Sequence, residues 1–353
     1  MMNNTTDISA SPHRRIALLA GGSSGESEVS LASGQSAGEA LRQAGHEVIE
    51  INPAQPGFID VLLISQPDVV FIALHGSDGE DGRMQGLLEL LRLPYTGSGV
   101  LASALAMDKR RSKLFYREVG LNVPEFEMLH ADGALEAATG FIHKYGLPTV
   151  IKPTHDGSSL GVSIVHGSDE LPSALSRGFA VSPELMVERY ITGAEVTVPV
   201  IGNDELLALP VIEIVPQVAD FYNYEAKYTD GGATHIIPAR LEPAVLEQCQ
   251  TAAKAAHLAL GCAGMSRSDF IVDGQGVAWI IETNTIPGMT RLSLLPDSAA
   301  HAGIPASELY SRIVELGIEA HLVRQAAVAS PDDSAESSEH EWNTIPLHGK
   351  RPD

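Results

Sequence analysis

The sequence predicts an α/β protein with two or three domains, on three observations. The chain has 353 residues, which is long enough for that many domains with substantial cores. Near its start, apolar β-branched segments alternate with helical patterns, which is typical of a parallel sheet. Further along, several strand-like segments follow one another without helices between them, which favours antiparallel pairing.

Composition and charge narrow the function classes. Apolar residues make up 44% and charged residues 19%, as in a soluble globular protein. Lysine and arginine number 23 against 45 acids, and the net charge of −22 argues against a nucleic-acid-binding surface. The two cysteines form no CxxC pair, which indicates a reduced, cytosolic protein. With no signal core and no membrane-spanning apolar segment, we expect a cytoplasmic protein without membrane partners.

The N-terminal part reads as a parallel sheet with its helices. Residues 1–13 are polar and predicted disordered, and residues 16–22 form an apolar strand that ends in glycines. A helix over 29–45 follows, and further strands lie at 46–53 and 68–76. Open parallel sheets bind ligands at the carboxyl ends of their strands. The glycines do not match the GxGxxG spacing of dinucleotide-binding proteins, which argues against an oxidoreductase.

Two strand ends of this predicted sheet carry polar loops. Glu26, Glu28 and Ser30 follow the first strand, and the third strand runs into the segment 75–82, HGSDGEDG. We consider His75 a candidate site residue. A loop histidine that caps a helix is the alternative interpretation.

The central segment 147–165 predicts a strand, a glycine- and serine-rich loop, and a second strand. Lys152 stands at the end of the first strand, and the loop covers 154–161. Backbone N–H groups of such a flap can bind phosphates. Residues 157–161 also satisfy GxSxG, the nucleophile elbow of hydrolases, but that elbow turns from a strand into a helix. The β-branched run after Gly161 predicts a strand, so we reject a serine hydrolase.

The next segments add charged residues at strand ends and a predicted covering loop. Glu188 lies on an apolar strand over 183–191, with Glu195 beyond it, although a glutamate at a strand end is often only a surface residue. Residues 221–228 contain three tyrosines, which predicts a loop that covers a site. A core helix is predicted over 242–261 and a final helix over 307–325.

The segment from Arg267 to Ser293 predicts a β-hairpin with an all-oxygen cluster. Two apolar strands flank the turn residues 273–276, and their pairing can bring Asp269 level with Glu282. Asn284 lies two residues beyond Glu282 and therefore on the same face. Two carboxylates and a carboxamide suit Mg²⁺, and one bidentate glutamate could bridge two ions. An exposed hairpin with solvated acids is the alternative.

These motifs together resemble the D-alanine–D-alanine ligases of the ATP-grasp superfamily. The matching segments are HGxxGEDG at 75–82, Met107-Asp108-Lys109, the loop at 152–161, and Glu-x-Asn followed by PGMT at 287–290. They occur in the family's order over residues 15–322. One departure is Asn223, where the family usually has aspartate. The alternative is another ATP-grasp ligase with D-lactate or D-serine as acceptor, or a nucleotide-binding regulator, although a regulator would be expected to lose the metal ligands.

The resemblance implies an α/β ATP-grasp fold with a Rossmann-like N-terminal domain, a small central lid domain and a C-terminal metal-carrying domain. The implied ranges are a disordered N-terminus at 1–13, the N-terminal domain at 14–106, the lid at 107–192, the C-terminal domain at 193–325 and a disordered acidic tail at 326–353.

The resemblance also implies the ligands and the roles of single residues. The cofactors are ATP and two Mg²⁺ ions, with Mn²⁺ as a substitute. The residues that correspond to the family's catalytic and substrate-binding positions are Glu28, His75, Ser158, Tyr228, Arg267, Gly288 and Ser293. Those that correspond to its nucleotide-binding positions are Lys109, Lys152, Ser159, Glu188, Arg189, Ile191, Glu195, Phe221 and Lys227. The metal ligands are Asp269, Glu282 and Asn284.

The implied reaction joins two D-alanines through an acylphosphate for peptidoglycan synthesis. Glu28 and Tyr228 both match the dipeptide-forming type. The implied partners are ATP and D-alanine, with no nucleic acid and no membrane, and we expect a homodimer.

Overall fold

A computed structural model of the chain describes residues 13–155, 160–217 and 232–328. The first sheet has three parallel strands in the order β2-β1-β3, as the alternation of strands and helices predicts. Its strands are β1 (Arg15–Leu19), β2 (Glu47–Ile51) and β3 (Val69–Ile72), and its helices are α1 (Ser27–Gln43), α2 (Phe58–Ser65) and α3 (Arg83–Leu90). Strands β1 and β3 are buried, whereas most of β2 is half-buried or exposed, and the carboxyl ends of the three strands point to the same edge.

Two short helices follow the first sheet. They are α4 (Val100–Met107) and α5 (Lys109–Glu118). The sequence predicts one helical run here, but Asp108 is extended, with φ −94° and ψ 98°, and divides it. Its side chain accepts a hydrogen bond from the Arg111 backbone N–H at 2.9 Å and so caps α5.

The second sheet has four antiparallel strands in the order β4-β7-β5-β6. They are β4 (Phe126–His130), β5 (Thr149–Pro153), β6 (Ser163–Val165) and β7 (Glu184–Arg189), with helices α6 (Ala134–Tyr145) and α7 (Leu171–Phe179) packed against them. The chain after Gly161 continues into the strand β6 rather than into a helix. The geometry of a hydrolase elbow is therefore absent from this part of the described chain.

The third sheet contains six strands and has the order β11-β10-β8-β12-β13, with β9 paired to β8. Its elements are β8 (Gly193–Gly202), β9 (Leu207–Ala208), β10 (Ile212–Pro216), β11 (Ala233–Ile236), β12 (Gly264–Asp273) and β13 (Ala278–Asn284), and α8 (Pro243–Leu260) packs on it. The predicted strand at 205–216 is divided into β9 and β10. Pro210 lies between the two and lacks the N–H that a sheet ladder requires.

The last two helices are α9 (Leu294–His301) and α10 (Ala306–Val328). Helix α10 packs on the first sheet, and its Leu309 and Ile313 are fully buried in that core. In the same way, Tyr116 of α5 lies in the core of the third sheet. Side chains therefore pack across the predicted domain limits. The limits themselves remain a prediction. Within the described ranges, no helix is long and apolar enough to cross a membrane.

Candidate active site

A cavity of about 400 Å³ lies between the second and third sheets. Apolar side chains from both sheets line it, among them Val150, Leu160 and Phe270. The structure also brings to its walls the predicted site residues Lys109, Lys152, Glu188, Arg189, Ile191, Glu195, Asp269 and Glu282. A cavity that is lined by apolar side chains and by several charged groups fits a ligand that has both an apolar ring system and an anionic part.

Glu188 is the buried charge at the centre of one wall. Its side chain is 3% exposed. Lys152 Nζ lies 2.6 Å from its Oε1, and Lys113 Nζ lies 2.5 Å from its Oε2. Burial by itself would raise the pKa of Glu188, but the two lysines outweigh it and the pKa is lowered. The carboxylate therefore stays charged inside the protein.

Lys113 is a residue that the sequence did not assign to the site. Its side chain is completely buried, and burial lowers its pKa to about 8 although Glu188 opposes that shift. The signal in the sequence was its spacing, since Lys113 lies four residues after Lys109 and thus on the same helix face. Both lysines of α5 therefore face acids of the site.

The hairpin of β12 and β13 has the predicted pairing. Asp269 lies opposite Glu282, and Arg267 lies opposite Asn284. Arg267 donates to both carboxylate oxygens of Asp269, from Nε and Nη2, at 2.9 Å each. Lys109 Nζ lies 3.2 Å from Glu282 Oε2. Asp269 and Glu282 are thus each paired with a cation.

The same hairpin is the candidate metal site. Within the described ranges, no three His, Cys, Asp or Glu side chains converge on a point that could hold a metal ion. The donor set here is of another kind, two carboxylates and the carboxamide of Asn284, whose Oδ1 accepts the Ile286 N–H at 2.9 Å. All of these donors are oxygens, which is the ligand chemistry that Mg²⁺ prefers.

The carboxyl end of β3 faces this hairpin with two buried titratable groups. Burial lowers the pKa of His75 to about 4, and the nearby charge of Arg267 lowers it as well. Burial, followed by repulsion from Glu26, raises the pKa of Glu80 to about 8, although the Gly76 N–H donates to Glu80 Oε2 at 2.7 Å. At neutral pH the imidazole is therefore neutral, and the Glu80 carboxyl is largely protonated.

The loop after β13 brings Gly288 and Ser293 together. Ser293 Oγ accepts the Thr290 N–H at 3.0 Å and lies 2.8 Å from Thr290 Oγ1. A Cβ atom on Gly288 would lie only 2.7 Å from Ser293 Oγ, so the close approach requires glycine. Ser293 directly precedes α9, whose first backbone N–H groups can attract an anion.

Comparison with known proteins decides the family. A family model described as D-ala D-ala ligase N-terminus matches residues 59–98, and one described as D-ala D-ala ligase C-terminus matches residues 115–315. A D-alanine–D-alanine ligase from Syntrophobacter fumaroxidans is 46% identical over 305 residues, which cover 86% of this chain and 97% of the relative. The chain belongs to the D-alanine–D-alanine ligase family.

Other relatives cover the chain equally well. A D-alanine–D-alanine ligase from Gloeobacter violaceus is 44% identical over 86% of this chain and 100% of its own length. The crystal structure of the Bacillus anthracis ligase complexed with ATP has a TM-score of 0.76 at 33% identity and covers 88% of this chain and 99% of its own. The crystal structure of the VanG D-Ala:D-Ser ligase from Enterococcus faecalis has a TM-score of 0.73 at 31% identity and covers 87% of this chain and 100% of its own. The expected ATP-grasp fold is thereby confirmed.

Within this D-alanine–D-alanine ligase fold, the structure does not bring Glu28 to the site. Glu28 lies exposed on α1, whereas Glu26, at the preceding turn, approaches the loop after β3. Glu26 Oε2 lies 2.9 Å from the position that a Cβ atom on Gly76 would take. Sequence reasoning named the second glutamate of the loop and missed the first, because the start of the helix decides which of the two faces inward.

Some predicted residues of the ligase site lie outside the described part of the chain. They are Ser158, Ser159, Phe221, Lys227 and Tyr228. Their assigned roles stay predictions.

Proposed function

We propose that this protein joins two D-alanines into D-alanyl-D-alanine at the expense of ATP. One observation carries the proposal: the acids of the β12–β13 hairpin line the cavity between the two antiparallel sheets, together with Lys109, which pairs with Glu282. A nucleotide in the cavity would thus direct its phosphates at the hairpin. The names of the relatives support the same reaction.

In this proposal ATP lies with its adenine in the apolar part of the cavity. Glu188 and the backbone of the strand end at Arg189 to Ile191 would contact the base, and Glu195 the ribose. Lys109 and Lys152 would meet the phosphate oxygens. Phosphoryl transfer depends chiefly on position and on neutralised charge, and both lysines supply charge at a fixed place.

Asp269, Glu282 and Asn284 would hold Mg²⁺, for which their oxygens fit. Bound there, the ion would neutralise charge on the transferred phosphoryl group. The ion pairs of Arg267 and Lys109 give these carboxylates cationic partners of their own, so metal binding would compete with them.

The proposed chemistry has two steps. The carboxylate of the first D-alanine attacks the γ-phosphorus of ATP, which forms an acylphosphate and releases ADP. The amine of the second D-alanine, after losing a proton, attacks the acyl carbon, and phosphate leaves the tetrahedral oxyanion. The Gly288 N–H and Arg267 would stabilise that oxyanion, and electrostatic stabilisation of this kind is often the largest catalytic contribution.

The remaining residues would bind the two amino acids. Ser293 and the first N–H groups of α9 would hold the acceptor carboxylate. Glu26, rather than the exposed Glu28, would hold the donor ammonium, because its carboxylate lies at the loop after β3. The role in peptidoglycan synthesis, the cytoplasmic location and the homodimer belong to the same proposal.

The experiment is phosphate release with ATP and Mg²⁺ across a panel of D- and L-amino acids and D-lactate. We expect release with D-alanine and a product with the mass of D-alanyl-D-alanine. Glu282→Gln is the matched control, because it removes the charge without changing the shape, and it should nearly abolish turnover while the circular dichroism spectrum is unchanged. No release with D-alanine, or wild-type turnover in Glu282→Gln, would contradict the proposal.

A further inference from the structure

The loop between β13 and α9 is held by two buried side chains from the N-terminal sheet region. Ser33 of α1 accepts a hydrogen bond from the Met289 backbone N–H at 3.3 Å, and its Oγ lies 2.8 Å from His75 Nε2. His75 in turn forms a hydrogen bond with the backbone of Ile286. The two side chains therefore contact the loop on both sides of Gly288.

The directions of these hydrogen bonds follow from their donors. Because Ser33 Oγ accepts the Met289 N–H, its own hydrogen can point to His75 Nε2, which then accepts. The neutral imidazole carries its proton on the other ring nitrogen and donates to the Ile286 carbonyl. Since burial lowers the pKa of His75 to about 4, this arrangement persists at neutral pH. Each donor meets an acceptor, as a buried polar network requires.

Two more contacts fix the same loop. Tyr310 Oη donates to the Met289 carbonyl at 3.0 Å, and the Tyr310 ring packs edge-on against Phe71 of β3, with 5.9 Å between the ring centres. Gly288 itself lies against Ser293. The backbone position around Gly288 is therefore fixed by side chains that pack with the first sheet, although the loop itself follows a strand of the third sheet. A backbone donor stabilises a developing charge only when it is already aimed at it.

We propose that Ser33 and His75 are positioning residues that aim the Gly288 N–H at the tetrahedral oxyanion through Met289 and Ile286. The inference rests on the proposed ligase function and assigns a role to Ser33 that the sequence did not predict. It also moves His75 from the predicted catalytic group to a place behind the loop, where it contacts backbone rather than substrate.

The test compares Ser33→Ala with a matched variant on the same helix, Ser30→Ala. Ser30 is equally buried, and its Oγ also accepts one backbone N–H, from Gly21 at 2.8 Å, and donates to one carbonyl, of Ala73 at 2.7 Å. Those two bonds stay within the N-terminal sheet region. Both variants should lose similar thermal stability, so a difference in catalysis reports on the loop.

For Ser33→Ala we expect kcat for dipeptide formation to fall by about tenfold to a hundredfold, while KM for ATP changes by less than about twofold. The ratio of D-alanyl-D-alanine to ADP should also fall, because an acylphosphate that is transferred slowly is lost to water. Ser33→Cys keeps the shape with a weaker acceptor and should give an intermediate ratio. Ser30→Ala should keep the wild-type ratio.

The outcomes separate this inference from the proposed function. If wild type makes the dipeptide and the product ratio of Ser33→Ala equals that of Ser30→Ala, the positioning role is wrong and the ligase function stands. If wild type makes no dipeptide, the ligase function fails and the inference fails with it. Should Ser33→Ala not fold, the ratio measured for Ser33→Cys decides in the same way.

Discussion

At the scale of single residues, Glu188 shows how a buried charge is maintained in the nucleotide cavity. Its Oε1 is paired with Lys152, which lines the cavity, and its Oε2 is paired with Lys113, a buried residue of α5. A buried carboxylate with only one partner would be more costly, because breaking an ion pair leaves an uncompensated charge. Lys113 therefore contacts a cavity-lining carboxylate without lining the cavity itself.

We predict that Lys113→Met weakens ATP binding and lowers stability. KM for ATP should rise at least about tenfold, since Glu188 loses a partner, and the free energy of unfolding should fall by about 1.5–3 kcal/mol. Steady-state kinetics and urea unfolding measure the two effects. Arg110→Met is the control, because Arg110 is exposed on the same helix. An unchanged KM for ATP in Lys113→Met would show that this lysine has no part in nucleotide binding.

Glu80 gives a prediction about pH. Its pKa is raised from 4.5 to about 8, so the folded protein keeps a proton that the unfolded chain releases. The contribution of Glu80 to the free energy of unfolding should therefore fall as pH rises from about 5 to 8, by at most about 1.4 kcal/mol per pH unit. Glu80→Gln removes this dependence and still offers an oxygen to the Gly76 N–H. The stability of the variant relative to wild type should thus increase with pH.

Urea unfolding at several pH values between 5 and 8 checks this, with Glu39→Gln on the exposed face of α1 as the control. Parallel pH curves for wild type and Glu80→Gln would mean that Glu80 has an ordinary pKa in the folded state.

The sequence predicted some of these residues and not others, for physical reasons. Asp269 could be placed near Glu282 because two apolar strands flank one turn, although a register shift between Asp269 and Phe270 sets the exact pair. Lys113 could not be recognised as buried, since lysine is nearly always exposed and only a buried partner such as Glu188 changes that. The ion pair of Arg267 with Asp269 joins side chains two apart on one strand and could have been read from that spacing.

At the scale of secondary structure, the strands around the site were predictable and the ends of short elements were not. The strand after Gly161 followed from its β-branched residues and excluded a hydrolase. The break between α4 and α5 depends on Asp108, which caps α5 by a local hydrogen bond and whose Oδ2 lies 3.3 Å from His155 Nε2.

We predict that the loop between β5 and β6 contacts the phosphates of ATP. Hydrogen exchange across residues 154–161 should become slower with ATP and a phosphinate inhibitor than without them, because backbone N–H groups bonded to phosphate exchange slowly. Mass spectrometry of peptic peptides measures it, and peptides from α8 serve as the internal control. Equal exchange with and without ligands would rule out this loop as the phosphate flap.

At the scale of the whole molecule, helices pack into the hydrophobic cores of sheets that are far from them in the sequence. Helix α10 packs on the first sheet. Its Glu315 forms an ion pair with Arg14, in which Oε2 lies 2.9 Å from Arg14 Nη2. Local patterns identified α10 as a helix but contain no information on its partner. This is why the fold class could be predicted while the packing across the predicted domain limits could not.

This packing leads to a prediction about the N-terminal sheet as a fragment. Five side chains of α10 are at most 1% exposed in the core cluster that joins the first sheet to residues of β8 and β12, namely Leu309, Tyr310, Ile313, Val314 and Leu316. At about 1.5–3 kcal/mol each, they contribute roughly 8–15 kcal/mol of burial. That is as large as the whole stability of a typical domain, about 5–15 kcal/mol. A fragment of residues 1–106 should therefore lack a cooperative urea transition.

The matched fragment joins residues 1–106 through a flexible linker to residues 302–328. It returns α10 to the exposed face of the sheet, and it should regain both near-ultraviolet circular dichroism and a cooperative transition. A variant of this fragment with Ile313→Asp would put a charge at a fully buried position and should lose the transition again. If residues 1–106 alone unfold cooperatively, with a urea dependence that matches the surface of a folded unit of that size, the N-terminal sheet has a sufficient core of its own. Helix α10 would then be an addition to a complete domain rather than a part of it.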